Sequence, residues 1–295
     1  MTEGIVNVLK PPGMTSSNVV SDIRRLFNLK RVGHTGTLDP GAAGVLPICL
    51  GRATRLFDYL VDKEKEYIAE ISFGSCTDTQ DSYGRIVAAS DRIVDEAALR
   101  AVLPSFLGEQ TQIAPKYSAL KSGGKAMYEL ARSGQEVPER IRPIHIYALE
   151  FITKTKENRF LLRIGCSRGT YIRTLCEDIG KRLSLCAHMS FLLRTASGPF
   201  RVEEAYSIEE LAALKEQGTL LERVVSIPQA LSFLPKVTVT GEKTLFRLQN
   251  GCAEPVTGCA DLAEDESCLV YGNGELIGIG VWTPAGLKLK IHLGA

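Results

Sequence analysis

The segment Val32-Gly33-His34-Thr35-Gly36-Thr37-Leu38-Asp39-Pro40-Gly41-Ala42-Ala43-Gly44-Val45-Leu46-Pro47 constrains this chain most, because it can be neither ordinary helix nor ordinary core. It lacks a clean helical or strand period, which predicts a loop wrapped around the turn Asp39-Pro40-Gly41. Its glycines allow a backbone to approach a ligand closely. One carboxylate and one imidazole stand within it, so it reads either as a plain turn or as a built site. Arg24, Arg25, Lys30 and Arg31 cluster just upstream, either as solvated surface or as a face for a polyanion.

The flanking segments are regular. Ile5 to Leu9 reads as a short apolar strand leading into the turn Lys10-Pro11-Pro12-Gly13. Ser16 or Ser17 offers an N-cap for a helix whose apolar face is Val19, Val20, Ile23 and Phe27. Tyr67, Ala69, Ile71 and Phe73 alternate with Ile68, Glu70 and Ser72, the period of a strand entering a sheet. A helix is expected over 95–103, disturbed or ended by Pro104. Phe160, Leu162 and Ile164 alternate as another strand. After the turn Ser167-Arg168-Gly169 comes a helix capped by Thr170, with Ile172, Leu175, Ile179 and Leu183 on one face and Tyr171 and Arg173 flanking it at the first turn. Ser207-Ile208-Glu209-Glu210 is a capping box that opens a helix ending before Gly218.

Residues 111–143 form a polar excursion punctuated by Pro115, Gly123, Gly124, Gly134, Pro138 and Pro143, with a short helix possible over 126–132. From Lys116 to Arg142 it carries six Lys/Arg against three Glu, which favours a functional loop. Beyond a linker at Phe233-Leu234-Pro235 the pattern changes to short strands at 236–240, 267–271, 276–281 and 287–292, separated by glycine-bearing turns. A small β-rich domain is expected there.

Composition removes several classes of function. The 295 residues suffice for a large domain with a smaller one attached. No apolar run approaches the roughly 20 residues that span a bilayer, and MTEGIVNVLK lacks a secretory pattern, so a cytoplasmic protein is expected. Eight cysteines stand singly with only four histidines, which predicts reduced thiols rather than a metal centre. Neither a dinucleotide fingerprint nor a phosphate-binding loop is present, so no nucleotide cofactor is expected. A net charge of +1 gives no global sign of a polyanion partner.

Several blocks together resemble one family. They are Lys10-Pro11-Pro12-Gly13-Met14-Thr15-Ser16, then Gly33 through Pro47, Gly51-Arg52-Ala53-Thr54-Arg55, Lys65-Glu66-Tyr67, and Thr77-Asp78-Thr79-Gln80-Asp81 with Gly84. They continue with Pro115-Lys116-Tyr117-Ser118-Ala119-Leu120-Lys121, Gly124 with Tyr128 and Arg132, Gly169-Thr170-Tyr171-Ile172-Arg173, and Gly180 with Ala187-His188. In this order they resemble the bacterial tRNA pseudouridine-55 synthases of the TruB family, over residues 5 to about 200. The tail from about 236, with Leu248-Gln249-Asn250-Gly251 and Gly278-Ile279-Gly280, is only loosely similar to the RNA-binding domain that ends such enzymes.

The resemblance implies an α+β catalytic fold, with a central mixed, largely antiparallel sheet and flanking helices over 1–233. It also implies an RNA-binding insertion at about 111–143 and a PUA-like RNA-binding domain over 234–295. The implied activity is isomerisation of the uridine at position 55 in the T loop of tRNA, without metal or cofactor. Asp39 matches the catalytic aspartate, Arg173 the arginine that pairs with it, and Tyr67 the aromatic packed on the flipped uracil, which is also a candidate for the final C5 deprotonation although its phenol would need help to act as a base. His34 matches a residue that wedges into the T loop, Asp81 the polar surround and Leu192 an apolar pocket residue. Lys10 matches a lysine that holds the active-site turn, and Tyr171 stands beside Arg173. Lys116, Lys121, Lys125 and Arg132, with Arg140 and Arg142, are candidates for phosphate contacts, and Tyr117 and Tyr128 are candidates for packing the base of the loop. Pseudouridine formation breaks the N1–C1′ bond, turns the uracil over, forms C5–C1′ and removes a proton from C5. Asp39 would either attack C1′ or remove the C2′ proton, the resemblance favouring the second. Two alternatives stand beside this reading: a synthase directed by a guide RNA, and a tRNA-binding folding factor whose main role is not catalytic. A stand-alone monomer acting on the T stem-loop is expected.

Overall fold

The computed structural model describes residues 2–257, 259 and 262–294. Strand β1 (Gly4–Lys10) is apolar on both faces and delivers its last residue into the Pro11-Pro12 turn. Helix α1 (Ser16–Phe27) buries Val19, Val20, Ile23 and Phe27 as the period requires. Its N-cap is Thr15, not Ser16 or Ser17: the Thr15 hydroxyl accepts from the Asn18 amide. Ser16 is instead buried, and its hydroxyl donates to the Leu38 carbonyl and accepts from the Leu38 amide.

The predicted loop 32–47 is a loop only in its middle. Its ends are β2 (Val32–His34) and the start of β3 (Ala43–Leu50); β2 pairs antiparallel with the last residues of β3, Ile48 to Leu50, while β1 pairs the other edge of β3. Periodicity fails here because β3 is buried on both faces and reads as a continuous apolar run. The chain then forms α2 (Phe57–Val61), β4 (Lys65–Phe73), the hairpin β5 (Ser75–Thr77) and β6 (Ile86–Ala89), α3 (Glu96–Val102) and β7 (Gly108–Ile113). Pro104 falls in a single 3-10 turn that follows α3.

The expected excursion is shorter than 111–143. Residues 111–113 lie in β7 and 141–143 in β10 (Ile141–Lys156), with Ile113 opposite Ile141, so the two strands clamp an insertion over 114–140. Inside it are the two-residue strands β8 (Lys121–Ser122) and β9 (Lys125–Ala126) and helix α4 (Met127–Arg132). Strand β11 (Arg159–Cys166) leads to α5 (Ile172–Arg182), then β12 (Ala187–Ser197) and β13 (Phe200–Arg201). Thr170 does not cap α5. Tyr171 is the N-cap without a side-chain bond, and the Thr170 hydroxyl donates to the Ser167 carbonyl instead.

The nine-stranded sheet runs β1-β3-β12-β4-β11-β10-β7, with β2 and β13 attached beside it. It is antiparallel except where β12 meets β3, where Leu193 and Arg194 lie opposite Ala43 and Gly44. Gly44 has a φ of +117°, and a Cβ there would collide with the Arg194 backbone, so glycine is required for this strand approach. One apolar core lies between this sheet and α5 and α3. Helices α6 (Ile208–Glu216) and α7 (Ile227–Ala230) pack against β1, and the Ser207 capping box forms as predicted.

The final part is a four-stranded sheet of β14 (Lys236–Val239), β15 (Ser267–Gly272), β16 (Glu275–Thr283) and β17 (Gly286–His292). Helix α8 (Glu242–Gln249), not foreseen from sequence, covers this sheet with Leu245 and Leu248. Leu269, Ile279 and Leu293 share a core with Ile5, Leu56 and Leu60, and the Arg55 guanidinium donates to the His292 carbonyl at 2.9 Å. Among the described residues no helix is long and apolar enough to cross a membrane, all eight cysteines are free, and no group of three metal-ligating side chains occurs.

Candidate active site

The loop between β2 and β3 is fixed from below. Lys10, fully buried at the end of β1, donates to the carbonyls of Pro11 at 2.8 Å, Pro40 at 3.2 Å and Ala42 at 2.7 Å. One ammonium with three donors therefore holds both sides of the turn that carries Asp39. The Gly13 amide donates to Pro40 from the other side, and Ser16 holds Leu38. Burial pulls the Lys10 pKa down to about 8, with Arg194 adding repulsion and Asp39 opposing both.

Arg173, at the start of α5, reaches the same turn. Its Nε donates to Asp39 Oδ2 at 2.8 Å and its Nη2 lies 3.4 Å from Oδ1. The remaining donors are used as well: Nη1 donates to the Thr79 carbonyl at 3.0 Å and Nη2 to the Tyr117 carbonyl at 3.1 Å. The guanidinium is 5% exposed and the Asp39 carboxylate 37%, so a buried cation presents an open anion. Asp81 Oδ2 lies 3.9 Å from Arg173 Nε, and its Oδ1 accepts from the Thr79 hydroxyl at 2.6 Å. The start of α5 is itself clamped, because Gln112 on β7 donates to the Tyr171 carbonyl and accepts from the Tyr171 amide.

Tyr67 on β4 and Leu192 on β12 belong to the same apolar cluster as Leu38 and Ala42, and Tyr67 is near enough to Asp39 to feel its charge. Burial pushes the Tyr67 phenol up to about 12, with Arg194 the chief opposing influence, so the hydroxyl is protonated at neutral pH. His34 is half-buried on β2, and its Nδ1 accepts from the Gly36 amide at 3.2 Å. Burial, helped by Arg194, lowers its pKa from 6.5, which leaves a neutral ring suited to filling space rather than binding phosphate.

Sequence reasoning missed Arg194. It is 2% exposed, directly opposite Tyr67 across the β4–β12 pair. Its Nε donates to the Val45 carbonyl at 2.7 Å and Nη2 to the Gly36 carbonyl at 3.3 Å, so it ties together the two ends of the loop that carries Asp39. No carboxylate pairs with it among the described residues. Lys65 is a further buried cation, bonded to the carbonyls of Val61 and Lys63 and pulled down to about 8, first by burial and then by Arg194. Lys10 and Arg173 thus set two buried cations against the Asp39 carboxylate, with Arg194 close to Lys10 and Lys65 beyond it. A signal existed: Arg194 shares the inward face of its strand with Leu192, an unusual place for a charge.

Lys116, Lys121, Lys125 and Arg132 stand apart from this centre on the insertion. All four are exposed, and none is ion-paired among the described residues. The insertion is nonetheless connected to the site through the Tyr117 carbonyl on Arg173, and is pinned by buried Met127. A cleft of about 520 Å³, lined by Gln80, Gln112, Lys116, Met127, Thr174 and Asp178 among others, separates the insertion from α5. It does not include Asp39, which lies on the open surface where a large substrate can reach it.

The mixed sheet and the arginine-held aspartate define an RNA-modifying isomerase once set beside known proteins. Residues 24–172 match the model of the TruB family pseudouridylate synthase N-terminal domain, and 173–228 that of the tRNA pseudouridylate synthase B C-terminal domain. The tRNA pseudouridine synthase B of Pelotomaculum thermopropionicum is 50% identical over 241 residues, covering 80% of this chain and 76% of that protein. The Geobacillus kaustophilus protein of the same name is 41% identical over 280 residues, covering 92% and 98%. Among solved structures, a Cbf5-Nop10-Gar1 complex is similar at a TM-score of 0.72 and 29% identity, over 95% of this chain and 78% of that one. An H/ACA RNP bound to a substrate RNA is similar at 0.71 and 27%, over 99% and 81%. The chain belongs to the TruB family of tRNA pseudouridylate synthases.

Proposed function

We propose that this chain acts alone on the T stem-loop of tRNA and converts the uridine at position 55 to pseudouridine, with Asp39 as the catalytic carboxylate. The observation that carries this reading is the buried Arg173, held by the Thr79 and Tyr117 carbonyls, that presents the partly exposed Asp39 carboxylate near Tyr67. A stacked base cannot expose its glycosidic bond, so the uridine leaves the stack at a cost of a few kcal/mol, offset by contacts in the pocket. The Tyr67 ring stacks on the uracil in both of its orientations, because a π-face demands no fixed set of edge contacts. Neutral His34 fills the space that the base vacates.

From this position Asp39 either attacks C1′ or takes the proton from C2′; in each case N1–C1′ breaks and the uracil turns. As C5–C1′ forms, the Asp39–C1′ ester breaks in the first route and the proton returns to C2′ in the second; C5 then loses its proton and N1 carries one. Tyr67 serves as a stacking platform, and because its hydroxyl is protonated at neutral pH it takes the C5 proton only by passing its own to a further acceptor. The reaction is redox-neutral and hydrolyses nothing, so this set of residues suffices without metal or cofactor. The exposed cations of the 114–140 insertion contact the phosphates of the stem, and residues 234–295 act as a PUA-like domain that adds backbone contacts farther along the tRNA.

Pseudouridine mapping on unmodified full-length tRNA, with pure monomeric protein and no guide RNA, tests this function. Conversion confined to the T-loop uridine supports it. Conversion at another uridine refutes the assigned position. Binding without conversion refutes stand-alone catalysis and favours a guided or remodelling protein.

A further inference from the structure

Beyond Tyr67 the rim of the site carries a second aromatic that no step above uses. Tyr83 is 76% exposed, yet its ring lies directly over Gly41, two residues past Asp39; a methyl group at position 41 would overlap the ring. The segment beneath Tyr83 is built into the protein at several points. The Tyr83 amide donates to Asp81 Oδ1 at 3.0 Å, the Ser82 amide to the Met189 carbonyl at 3.2 Å, and the Met189 amide to the Gln80 carbonyl at 3.0 Å. Gln80, with a φ of +63°, is locked by the Thr174 hydroxyl at 2.9 Å and by Glu177 at 2.6 Å, both on α5. The strands and helix that hold Arg173 on Asp39 thus also hold an uncovered aromatic face beside the catalytic turn.

We infer that Tyr83 is a second stacking platform, for the RNA base next to the flipped uridine. This rests on the reading of the site given above. When one base leaves a stack, its neighbour loses a stacking partner. An aromatic face fixed on the same rim replaces that partner for any base, since stacking on a π-face is tolerant of sequence. The rigid mount supplies the ring without an ordering cost at binding. The missing side chain of Gly41 leaves room for the ring to lie against the turn.

The test uses the full chain and a T stem-loop RNA, with Tyr83→Leu, Tyr83→Phe and wild type compared at fixed salt. Wild-type conversion of the T-loop uridine is recorded first, so a failure of the functional reading is separate from a failure of this one. Leucine keeps bulk but removes the π-face, so Tyr83→Leu is expected to raise KM about 5- to 100-fold, with a much smaller change in kcat and an unaltered melting temperature. Tyr83→Phe is expected to restore wild-type KM. A 2-aminopurine placed beside the target uridine should be quenched in the wild-type and Phe complexes, and brighter with Leu. Wild-type KM and quenching in Tyr83→Leu would overturn the assignment. A loss confined to kcat would overturn it too, showing that the Tyr83 ring acts on the Asp39 turn and not on a base.

Discussion

Replacing Arg173 by lysine tests the electrostatic frame of the site with little change in charge. The guanidinium makes two contacts with Asp39 and one each with the Thr79 and Tyr117 carbonyls, all while 5% exposed. An ammonium is a point donor with three N–H bonds and cannot reproduce a planar fork on one carboxylate while reaching two carbonyls on opposite sides. At least one charge-assisted hydrogen bond is lost, worth about 1.5 to 3 kcal/mol. Because the lost bond orients the reacting carboxylate, that energy falls on the chemical step, which predicts a rate about 10 to 150 times slower. Release of tritium from C5-labelled uridine in tRNA, under single-turnover conditions with saturating protein, reads the step directly. RNA affinity should stay within a few-fold. A single-turnover rate within twofold of wild type would refute the claim that Arg173 geometry orients Asp39.

Three further outcomes follow from the same frame. Tyr67→Phe keeps the ring and should bind T stem-loop RNA within about twofold of wild type, whereas Tyr67→Ala loses about 1 to 3 kcal/mol of stacking; equal affinities in a titration would remove Tyr67 from the pocket. Lys10 loses one of its three donors as pH rises through about 8, so the single-turnover rate should fall there, and Lys10→Met should be slower at pH 7 and lack that limb. Since its folded pKa lies below the ordinary 10.5, the unfolded chain holds the extra proton between about 8 and 10.5; this group's contribution to stability therefore rises with pH while activity falls, a contrast readable by denaturant titration. Neutralising Lys121, Lys125 and Arg132 together should weaken binding and flatten the slope of log affinity against log salt by about 2 units, and an unchanged slope would place the insertion away from phosphate.

Much of the fold was legible where one physical rule acts alone. The alternation through Tyr67 to Phe73 and the 3.6-residue face of α1 gave those elements directly, because each has one wet and one dry side. Strand β3 was hidden since both of its faces are buried, and the 16-residue β10 since bulges break its period three times. Helix α8 was obscured by lying among short strands, with only Leu245 and Leu248 facing the core. The site divides in the same way. Asp39 stood out because the chain is least core-like around it, and its pairing with Arg173, 134 residues away, came from family resemblance rather than from spacing. The roles of Ser16 and Gln112 were not legible because each acts on backbone carbonyls or amides, and such bonds leave no pattern in the order of side chains; Arg194 acts in the same way, and only its place on an inward strand face marked it.

The most direct measurement is conversion of the T-loop uridine by Asp39→Asn beside wild type, on the same unmodified tRNA and with affinity measured in parallel. Asparagine preserves shape and one acceptor but can neither attack C1′ nor remove a C2′ proton at a useful rate. The account predicts a folded variant that still binds tRNA and forms no detectable pseudouridine. Conversion within tenfold of wild type would contradict the assignment of Asp39 as the reacting group.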